Sequence, residues 1–394
     1  MKFSGRVHVV FRRQLDIAEV VNGKSVFLLG PRQTGKSTLI RGAFPSALVI
    51  DLLDAGTFTT LSQNPGHLAE RVAAAHSRIV VIDEIQKLPQ LLDEVHRLME
   101  RDKQLRFVLT GSSARKLKRQ GTNLLGGRAR TLALHPIVSA ELDGSDLAPE
   151  IMWQRGALPS VLTSKTPALD LRDYVGTYLQ QEIAAEGLTR SIGAFSRFLQ
   201  TVAVCNAQQL VYTSIGSDAG VPARTVKDYV EVLKDTLLGF ELESFRLTKS
   251  RKAVASSKLY LFDIGVVHAL LERESVSTVS TDFGAVFEHF IFMELRAAID
   301  YLDPLQALTY WRSLSQLEVD FIVRRGDRLI AIEAKATKRA SKKDFAGLRA
   351  FAEDFPKARK LCVCREDVAR TTDDGVEVLP YRAFLQQLWS GSCF

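Results

Sequence analysis

Short unbroken apolar runs recur through the first part of the chain, separated by segments in which apolar residues follow helical spacing. The runs are Ser25–Leu29, Ala47–Asp51, Arg78–Gln86 and Arg106–Leu109. Strands of a parallel sheet have this character because helices cover both of their faces. Residues 1–142 are therefore predicted to form an α/β domain, a parallel sheet with helices on both faces.

The apolar pattern loosens after this region and then changes twice. Turn residues at Asp143–Glu150 predict a linker, and helical spacing beyond it predicts a helical lid over 143–190. Asp218–Leu238 has the pattern of a helix-turn-helix, and a basic, alternating segment follows at Phe240–Leu261. These two features predict a winged helix within residues 191–280.

The last region, residues 281–394, begins with the strongly apolar helical segment Phe283–Ile299. Two strand-like runs follow, Leu317–Val323 and Leu329–Ala336, joined by a turn at Gly326. Apolar and polar residues alternate along the first run, as in a strand with one buried face. The pattern predicts a second α/β domain built around a β-hairpin.

Composition narrows the class of protein. A length of 394 residues suggests two or three domains, and 46% apolar with 25% charged residues is typical of a soluble globular protein. We find neither an apolar run of transmembrane length nor a secretory signal, so we expect no membrane partner. The four scattered cysteines, Cys205, Cys362, Cys364 and Cys393, favour a reducing cytoplasm.

Positive charge is concentrated in one stretch. Residues 324–360 carry twelve Lys or Arg against five Asp or Glu, a local excess of +7 that equals the excess of the whole chain. Such a stretch could present a basic face to nucleic acid. A solvated helix surface explains the same charges equally well.

The segment after the first strand holds the complete pattern G-x-x-x-x-G-K-S. Its backbone N–H groups and the following helix start are suited to binding phosphate, and Lys36 would reach the β- and γ-phosphates. A chance glycine-rich turn is the alternative, but the strand before and the helix after the motif argue against it. We predict binding of ATP with Mg²⁺ by Gly30, Pro31, Arg32, Gln33, Thr34, Gly35, Lys36, Ser37 and Thr38.

An acidic pair ends the third strand-like run. Asp83, with Ser37, would hold the Mg²⁺ ion, and Glu84 would polarise the attacking water. Ser112, after the next strand, would sense the γ-phosphate or position water, although it could equally cap a helix. Arg128, in a glycine-rich turn, is a candidate for completing the site of a neighbouring subunit, and Arg130 is the second candidate.

A family resemblance is carried by several runs in combination. They are GPRQTGKSTL, VVIDEIQKLP, LTGSSARKL and LLGGRARTLALHPIVSAEL, followed by GALPSVL, TYLQQEI, KLYLFDIGV and FEHFIFMEL. The chain resembles the bacterial and archaeal AAA-type ATPases that carry a restriction-endonuclease-like C-terminal region. The resemblance implies an AAA+ core at residues 1–142 and a restriction-endonuclease-like domain at 281–394. It departs from the family at Gln180–Glu182, where a charged pair is usual.

The resemblance, together with Arg128, also implies a homo-oligomer, such as a hexameric ring. DNA is the expected partner of the winged helix, through Arg224, Thr225 and Lys227 at the start of its second helix. Further DNA contacts are expected from Arg251 and Lys252 in the basic wing. A winged helix used only for protein packing is the alternative.

The last domain carries a second set of charged residues. Asp320, Glu333 and Lys335 have the spacing D-x12-E-x-K across the predicted hairpin, and Glu288 lies on the helix before it. The three carboxylates are predicted metal ligands, because carboxylates can hold Mg²⁺ against a phosphodiester, and a lysine can stabilise the charge that develops there. The set resembles the restriction-endonuclease-like fold, whose members either cleave DNA or only grip it.

These features favour a cytoplasmic, Mg-dependent ATPase that binds DNA and uses hydrolysis to remodel it or translocate on it. One alternative is an ATP-gated, metal-dependent DNA nuclease. Another is a DNA-binding regulator that is switched by nucleotide without turnover. Glu84 argues against the regulator, because a nucleotide switch needs no residue that activates water.

Overall fold

The computed structural model describes residues 11–113, 125–179, 191–247 and 256–393. The chain forms two compact units. The first unit contains Arg13–Pro136 with Val232–Leu238, and the second contains Ile137–Glu231 with Gly239–Phe394. Within the described ranges, no helix is both long enough and apolar enough to cross a membrane.

The first unit is a parallel five-stranded sheet with the strand order β2-β3-β4-β1-β5. Its strands are β1 (Ser25–Leu29), β2 (Leu48–Asp51), β3 (Ile79–Asp83), β4 (Arg106–Gly111) and β5 (Ala129–Ala133). Its helices are α1 (Ile17–Gly23), α2 (Lys36–Ala43), α3 (Ala55–Gln63), α4 (His67–Ala75) and α5 (Leu91–Arg101), with 3-10 turns at Ile85–Lys87 and Leu125–Gly127. This architecture confirms the predicted α/β fold.

The amphipathic pattern of α5 shows how the helices of this unit pack. Five of its apolar side chains are buried, and their 3.6-residue spacing places them on one face: Leu91, Leu92, Val95, Leu98 and Met99. They share a core with buried side chains of β1, β3 and β4. All five residues of β1 are buried, so the strand that leads into the phosphate-binding motif is the best-shielded part of the sheet.

The second unit contains a helical part followed by a mixed sheet. Its helices are α6 (Ile151–Arg155), α7 (Pro159–Leu162), α8 (Pro167–Asp173), α9 (Ile192–Val204), α10 (Tyr212–Ala219), α11 (Ala223–Asp235, whose last turn belongs to the first unit), α12 (Ile264–Leu270), α13 (Phe283–Leu302), α14 (Ala346–Asp354) and α15 (Tyr381–Trp389), with a π-helical turn at Tyr174–Leu179 and 3-10 turns at Ser139–Leu142 and Lys342–Phe345. A two-stranded antiparallel sheet joins β6 (Gly239–Leu242) to β7 (Lys258–Leu261).

The mixed sheet has six strands in the order β12-β13-β11-β10-β9-β8. They are β8 (Ala307–Arg312), β9 (Glu318–Arg325), β10 (Arg328–Lys335), β11 (Arg359–Cys364), β12 (Arg370–Thr371) and β13 (Val376–Pro380). Strands β8, β9 and β10 pair antiparallel, whereas β10, β11 and β13 pair parallel. A turn at Gly326, with φ 59°, closes the β9–β10 hairpin and so fixes its register.

One buried cluster draws apolar side chains from all three sequence regions that follow residue 142. Trp153 of α6 makes edge-to-face contacts with Phe283 of α13 (5.2 Å between ring centroids) and with Tyr381 of α15 (5.3 Å). Tyr260 of β7 stacks on Phe292 of α13 at 3.9 Å. The helical part and the mixed sheet therefore share one core.

Two of the motifs that carry the family resemblance lock together in this unit. Asp263 caps α12 by accepting the N–H of Val266 (3.0 Å), and it also accepts the N–H of Ala157 (2.6 Å). A Cβ on Gly156 would lie 2.2 Å from Asp263 Oδ1, and one on Gly265 would lie 2.4 Å from a backbone oxygen. Burial raises the pKa of Asp263 to about 6, and these N–H donors oppose that rise.

Candidate functional site

The loop between β1 and α2 has the backbone that a phosphate site requires. Gln33 and Gly35 have positive φ angles of 64° and 94°, which curl the chain tightly before α2 begins. A Cβ on Gly30 would lie 2.6 Å from the backbone oxygen of Leu134 and 3.2 Å from Thr34 Oγ1. Gly30 is therefore required by packing, and Gly35 by its backbone conformation.

The loop is held in place from both sides. Lys36 is buried and donates to the carbonyl oxygens of Gly30 (2.8 Å) and Pro31 (3.0 Å), so its ammonium lies inside the curl of the loop. Arg13 donates to the carbonyl oxygens of Thr34 (2.7 Å) and His135 (2.6 Å). Arg13 thus ties the loop to the residues that follow β5, a role that the sequence pattern did not indicate.

Ser37 and Asp83 come together as predicted from the sequence. Ser37 Oγ lies 3.5 Å from Asp83 Oδ2. The other carboxylate oxygen of Asp83 accepts a hydrogen bond from the hydroxyl of Thr110, at the end of β4. The Ser37 hydroxyl and the Asp83 carboxylate, which Thr110 orients, therefore lie together at the start of α2. Two such oxygen ligands fit a hard cation such as Mg²⁺.

Glu84 has an unusual backbone that its neighbours stabilise. Its φ of 60° lies in the left-handed region, which is uncommon for residues other than glycine. Its N–H donates to Thr110 Oγ1 at 3.1 Å, and its carboxylate accepts a hydrogen bond from the side-chain amide of Gln86. Such strain persists only where the surroundings over-determine the conformation, and it concentrates at functional sites.

Gln86 connects Glu84 to the end of the neighbouring strand. Its buried side-chain amide also lies 3.4 Å from Ser112 Oγ, so Ser112 belongs to this network. Gln86 Oε1 has no hydrogen-bond partner among the described residues, and it lies 2.5 Å from the position that a Cβ on Gly111 would take. Gly111 therefore makes room for Gln86.

Sequence reasoning missed Gln86 and Thr110. The available signal for Gln86 was its position two residues after the acidic Glu84, inside a run that otherwise reads as apolar. Thr110 lies in the same short polar segment as Ser112, and the sequence alone does not distinguish the two hydroxyl groups. The parallel register, with Ile82 opposite Leu109, shows why Thr110 meets the acidic pair at the carboxyl end of β3.

Arg128 is exposed in the turn before β5, where Gly126 and Gly127 have positive φ angles. Its guanidinium pairs with Glu100 at 2.7 Å, an exposed ion pair within the first unit. Such pairs contribute little stability, so Glu100 would release Arg128 at small cost. Its action on a neighbouring subunit stays a prediction.

The β9–β10 register brings part of the second predicted set together. Phe321 pairs with Ile332, which places Asp320 and Glu333 at the next position of the hairpin. Asp320 Oδ2 accepts the N–H of Ala334 at 2.8 Å, and Lys335 Nζ lies 2.5 Å from Glu333 Oε1. Both carboxylates are buried.

Glu288 joins this set through Lys258, which lies in the segment Phe240–Leu261 that the sequence predicts as a basic wing. Lys258 is only 3% exposed, and its ammonium lies 2.9 Å from Glu288 Oε1. It also lies 2.5 Å from Glu318 Oε1 and 4.0 Å from Asp320 Oδ1. The wing interpretation of Lys258 is wrong, because β7 directs this side chain into the interior.

Burial and mutual charge set the protonation of this cluster. Burial, and then the Glu288 carboxylate, raises the pKa of Asp320 to about 7. Burial and Asp320 likewise raise the pKa of Glu333 well above its ordinary value. For Lys258 burial works in the opposite direction, but Glu288 and the other carboxylates raise its pKa well above the ordinary value.

The predicted metal ligands Glu288, Asp320 and Glu333 do not form a metal site in the described part of the chain. There, no group of three or more His, Cys, Asp or Glu side chains is arranged to hold a metal ion. The contacts give a reason, because Lys258 pairs with Glu288 Oε1, Lys335 pairs with Glu333 Oε1, and Asp320 Oδ2 accepts a backbone N–H. These residues as arranged do not fit a bound divalent cation.

The predicted DNA contacts are partly described. Arg224 and Lys227 are exposed near the start of α11, and Thr225 is half-buried between them. Helix α10 precedes them through Gly220, whose φ is 67°, and the β6–β7 sheet follows. Arg251 and Lys252, like Gln180–Glu182, lie outside the described residues.

Three family models match successive parts of the chain. Residues 22–142 match an AAA domain, 150–277 match a domain of unknown function (DUF8612), and 283–384 match a second domain of unknown function (DUF4143). The loop at Gly30–Thr38 and the acidic pair both lie within the first match. The chain therefore carries an AAA-type P-loop ATPase domain.

Similar proteins and solved structures say less about function than the family models do. An uncharacterized protein of Mycobacterium bovis and one of Mycobacterium tuberculosis are each 28% identical over 341 residues, covering 84% of this chain and 73% of the relative. A Signal Transduction ATPase with Numerous Domains (STAND) protein with a tetratricopeptide repeat sensor from Pyrococcus horikoshii is 15% identical, with a TM-score of 0.27, over 75% of this chain and 48% of that one. A Vibrio cholerae protein is 11% identical, with a TM-score of 0.21, over 94% and 96%. This chain spans about half of the STAND protein, and both TM-scores are too low to support a shared function.

Proposed function

We propose that this chain hydrolyses ATP in its first unit, with Glu84 as the general base. The observation that carries the proposal is the fixed orientation of the Glu84 carboxylate by Gln86, next to the Ser37–Asp83 pair at the start of α2. A general base must be within reach of its proton and must hold its geometry. A site used only to bind nucleotide needs neither.

The chain's own residues divide the chemistry among them. Lys36 and the N–H groups of the loop bind and orient the phosphates, and Glu84 takes the proton of the water that attacks the terminal phosphorus. The bond between that phosphorus and the oxygen of ADP breaks as the new bond forms. Mg²⁺ carried by the nucleotide would be held by Ser37 and Asp83, where it neutralises phosphate charge.

Phosphate release from ATP by the full chain tests this assignment. We expect Glu84→Gln to lower kcat by at least about a hundredfold, since general-base catalysis is typically worth that much, while binding of a fluorescent ATP analogue stays unchanged. Unchanged turnover in Glu84→Gln would refute the role of Glu84. Loss of analogue binding would show instead that Glu84 acts in the ground state.

We propose further that hydrolysis is coupled to DNA. The support is a run of exposed basic residues in the connection after β10, together with Arg224 and Lys227 at the start of α11. The run consists of Lys338, Arg339, Lys342 and Lys343. Four other cations of residues 324–360 are paired with acids, namely Arg325, Lys335, Arg349 and Arg359. The exposed run therefore holds much of the positive charge of this stretch that is not paired.

DNA binding and coupling are tested separately. We expect DNA to raise the ATPase rate, and DNA affinity, measured by fluorescence anisotropy, to fall steeply with salt. Charge reversal of Lys342 and Lys343 should weaken binding and flatten the salt dependence, whereas reversal of the exposed Lys165 should change neither. If single-stranded, duplex and branched DNA all fail to stimulate turnover, a protein substrate becomes the better proposal.

Assembly into a homo-oligomeric ring is a proposal that depends on Arg128. If Arg128 acts on a neighbouring subunit, chains carrying Arg128→Ala and chains carrying Glu84→Gln should each be inactive alone. Mixing the two should restore part of the activity, because some interfaces then combine an intact Arg128 with an intact Glu84. No recovery on mixing, for chains shown by light scattering to exchange subunits, would argue against a shared site.

A further inference from the structure

The interior of the second unit contains a lysine surrounded by carboxylates. Lys258 enters from β7, Glu288 from α13, and Glu318 and Asp320 from β9. The ammonium lies 2.9 Å from Glu288 Oε1, 2.5 Å from Glu318 Oε1 and 4.0 Å from Asp320 Oδ1. A single cation therefore faces three carboxylates contributed by two different elements.

Further hydrogen bonds and ion pairs hold the carboxylates of this cluster. The Tyr260 hydroxyl donates to Glu288 Oε1 (2.6 Å), and Arg312 Nη1 lies 3.0 Å from Glu318 Oε2. Lys335 pairs with Glu333 Oε1 at 2.5 Å. Glu333 Oε2 is the buried carboxylate oxygen of the cluster that lacks a hydrogen-bond partner among the described residues. This oxygen alone would offer a hard divalent cation a single protein ligand.

The net charge of the cluster also indicates that Lys258 acts as its cation. When ionised, the four carboxylates of Glu288, Glu318, Asp320 and Glu333 carry −4, and Lys258, Lys335 and Arg312 carry +3, which leaves −1 in total. Without the ammonium of Lys258 the total becomes −2, on carboxylate side chains that are only 7% to 23% exposed. Buried uncompensated charge is strongly unfavourable, and a single divalent cation would balance it.

We infer that Lys258 is the resident cation of this carboxylate cluster, and that it holds the place a divalent metal ion would otherwise take. The chain with Lys258 then binds no divalent cation at this cluster and does not cleave DNA there. Removal of the ammonium leaves the oxygens of Glu288, Glu318 and Asp320 free to close on a hard divalent cation, an arrangement that they do not have while Lys258 is present. The inference is independent of the ATPase proposal, because it concerns the second unit alone.

The test uses Mn²⁺ alone as the probe, with the full-length chain at pH 8 and without nucleotide. The parent chain carries Asp83→Asn, which removes the predicted carboxylate ligand of the first unit. Electron paramagnetic resonance measures free Mn²⁺ during titration of this parent and of its Lys258→Met, Lys258→Arg and Asp320→Asn variants. We expect Lys258→Met to bind one Mn²⁺ at least about ten times more tightly than the other three chains, since only in that chain does the ionised cluster carry a charge of −2.

The titration can overturn the inference in two ways. If the chain that retains Lys258 binds Mn²⁺ and Asp320→Asn abolishes this binding, Lys258 does not exclude the metal. If folded Lys258→Met gains no affinity, the ammonium is not what blocks a metal site. Should Lys258→Met fail to fold, the inference is tested by comparing the Mn²⁺ affinity of the chain that retains Lys258 with that of Asp320→Asn. In a plasmid nicking assay with Mn²⁺ the unsubstituted protein should show no cleavage, and cleavage lost in Asp320→Asn would also refute the inference.

Discussion

The contact between Gln86 and Gly111 allows the role of Gln86 to be tested from both of its partners. Gln86→Ala removes the amide that orients the Glu84 carboxylate. Gly111→Ala leaves Gln86 in the sequence but places a Cβ 2.5 Å from its Oε1 and 3.3 Å from its Cδ. A contact of 2.5 Å forces the Gln86 side chain to shift, and we expect its amide to lose the hydrogen bond to Glu84.

The size of the effect follows from the bond that is lost. A hydrogen bond to a charged group contributes about 1.5–3 kcal/mol, and each 1.4 kcal/mol of activation free energy changes a rate about tenfold. We therefore expect either substitution to lower kcat about 10- to 150-fold. KM for ATP should stay close to the wild-type value, because the described contacts of Gln86 do not include the loop Gly30–Thr38.

The double variant provides the decisive comparison, with steady-state phosphate release as the assay. In Gln86→Ala there is no long side chain for a Cβ on Gly111 to displace, so adding Gly111→Ala should cost almost nothing further. The coupling free energy should then be about as large as the effect of Gly111→Ala alone. Gly42→Ala is the matched glycine control on α2, because a Cβ there meets nothing within 4 Å.

One result would refute this reasoning. If Gly111→Ala lowers kcat by the same factor with and without Gln86, the added methyl group acts by some route other than the amide. A rise in KM in either single variant, with kcat unchanged, would show that the contact supports nucleotide binding instead of the orientation of Glu84. Melting curves of all variants separate both cases from loss of the fold.

Three further outcomes can be measured on the same chain. Lys36→Ala should abolish binding of a fluorescent ATP analogue, which would identify Gly30–Thr38 as the nucleotide site, and retained binding would contradict that assignment. Burial raises the pKa of Glu294 from 4.5 to about 7, so the folded chain binds this proton more tightly than the unfolded chain does. The free energy of unfolding should therefore fall by roughly 3 kcal/mol as pH rises from about 4.5 to about 7, and Glu294→Gln should remove that component in urea titrations. Gly347→Ala would place a Cβ 1.7 Å from a backbone oxygen of β9, so it should cost at least about 2 kcal/mol, whereas Gly284→Ala, with open space around it, should cost nothing.

The sequence was sufficient to predict the parallel sheet and the loop at its edge. Buried strands and the G-x-x-x-x-G-K-S pattern are local signals, because each depends on residues that are near neighbours in the chain. The pairing of Ser37 with Asp83 also followed, since the carboxyl ends of parallel strands meet at one edge of the sheet. Gln86 did not follow, because its role depends on Gly111, which lies on another strand.

Lys258 shows a different limit of sequence reasoning. It lies in a segment with several other basic residues, and on charge alone that segment is typical of a surface that meets nucleic acid. Its burial depends on pairing between β6 and β7 and on Glu288, thirty residues further along the chain. Neither partner is visible from local spacing, so a buried counter-ion was interpreted as a surface charge.

Asp320, Glu333 and Lys335 separate what a hairpin specifies from what a metal site needs. The two-residue turn at Gly326 is enough to place the two carboxylates side by side, so their spacing reports the register and not the chemistry. A divalent ion about 4 Å from a single charge gains or loses roughly 8 kcal/mol at an effective dielectric constant of 20. Each ammonium or guanidinium beside the carboxylates therefore cancels about one carboxylate attraction, and what is left has to offset the loss of the ion's hydration. Removal of Lys258 takes away one such repulsion, roughly 8 kcal/mol, from the free energy of metal binding. This lysine therefore decides whether the hairpin can bind metal.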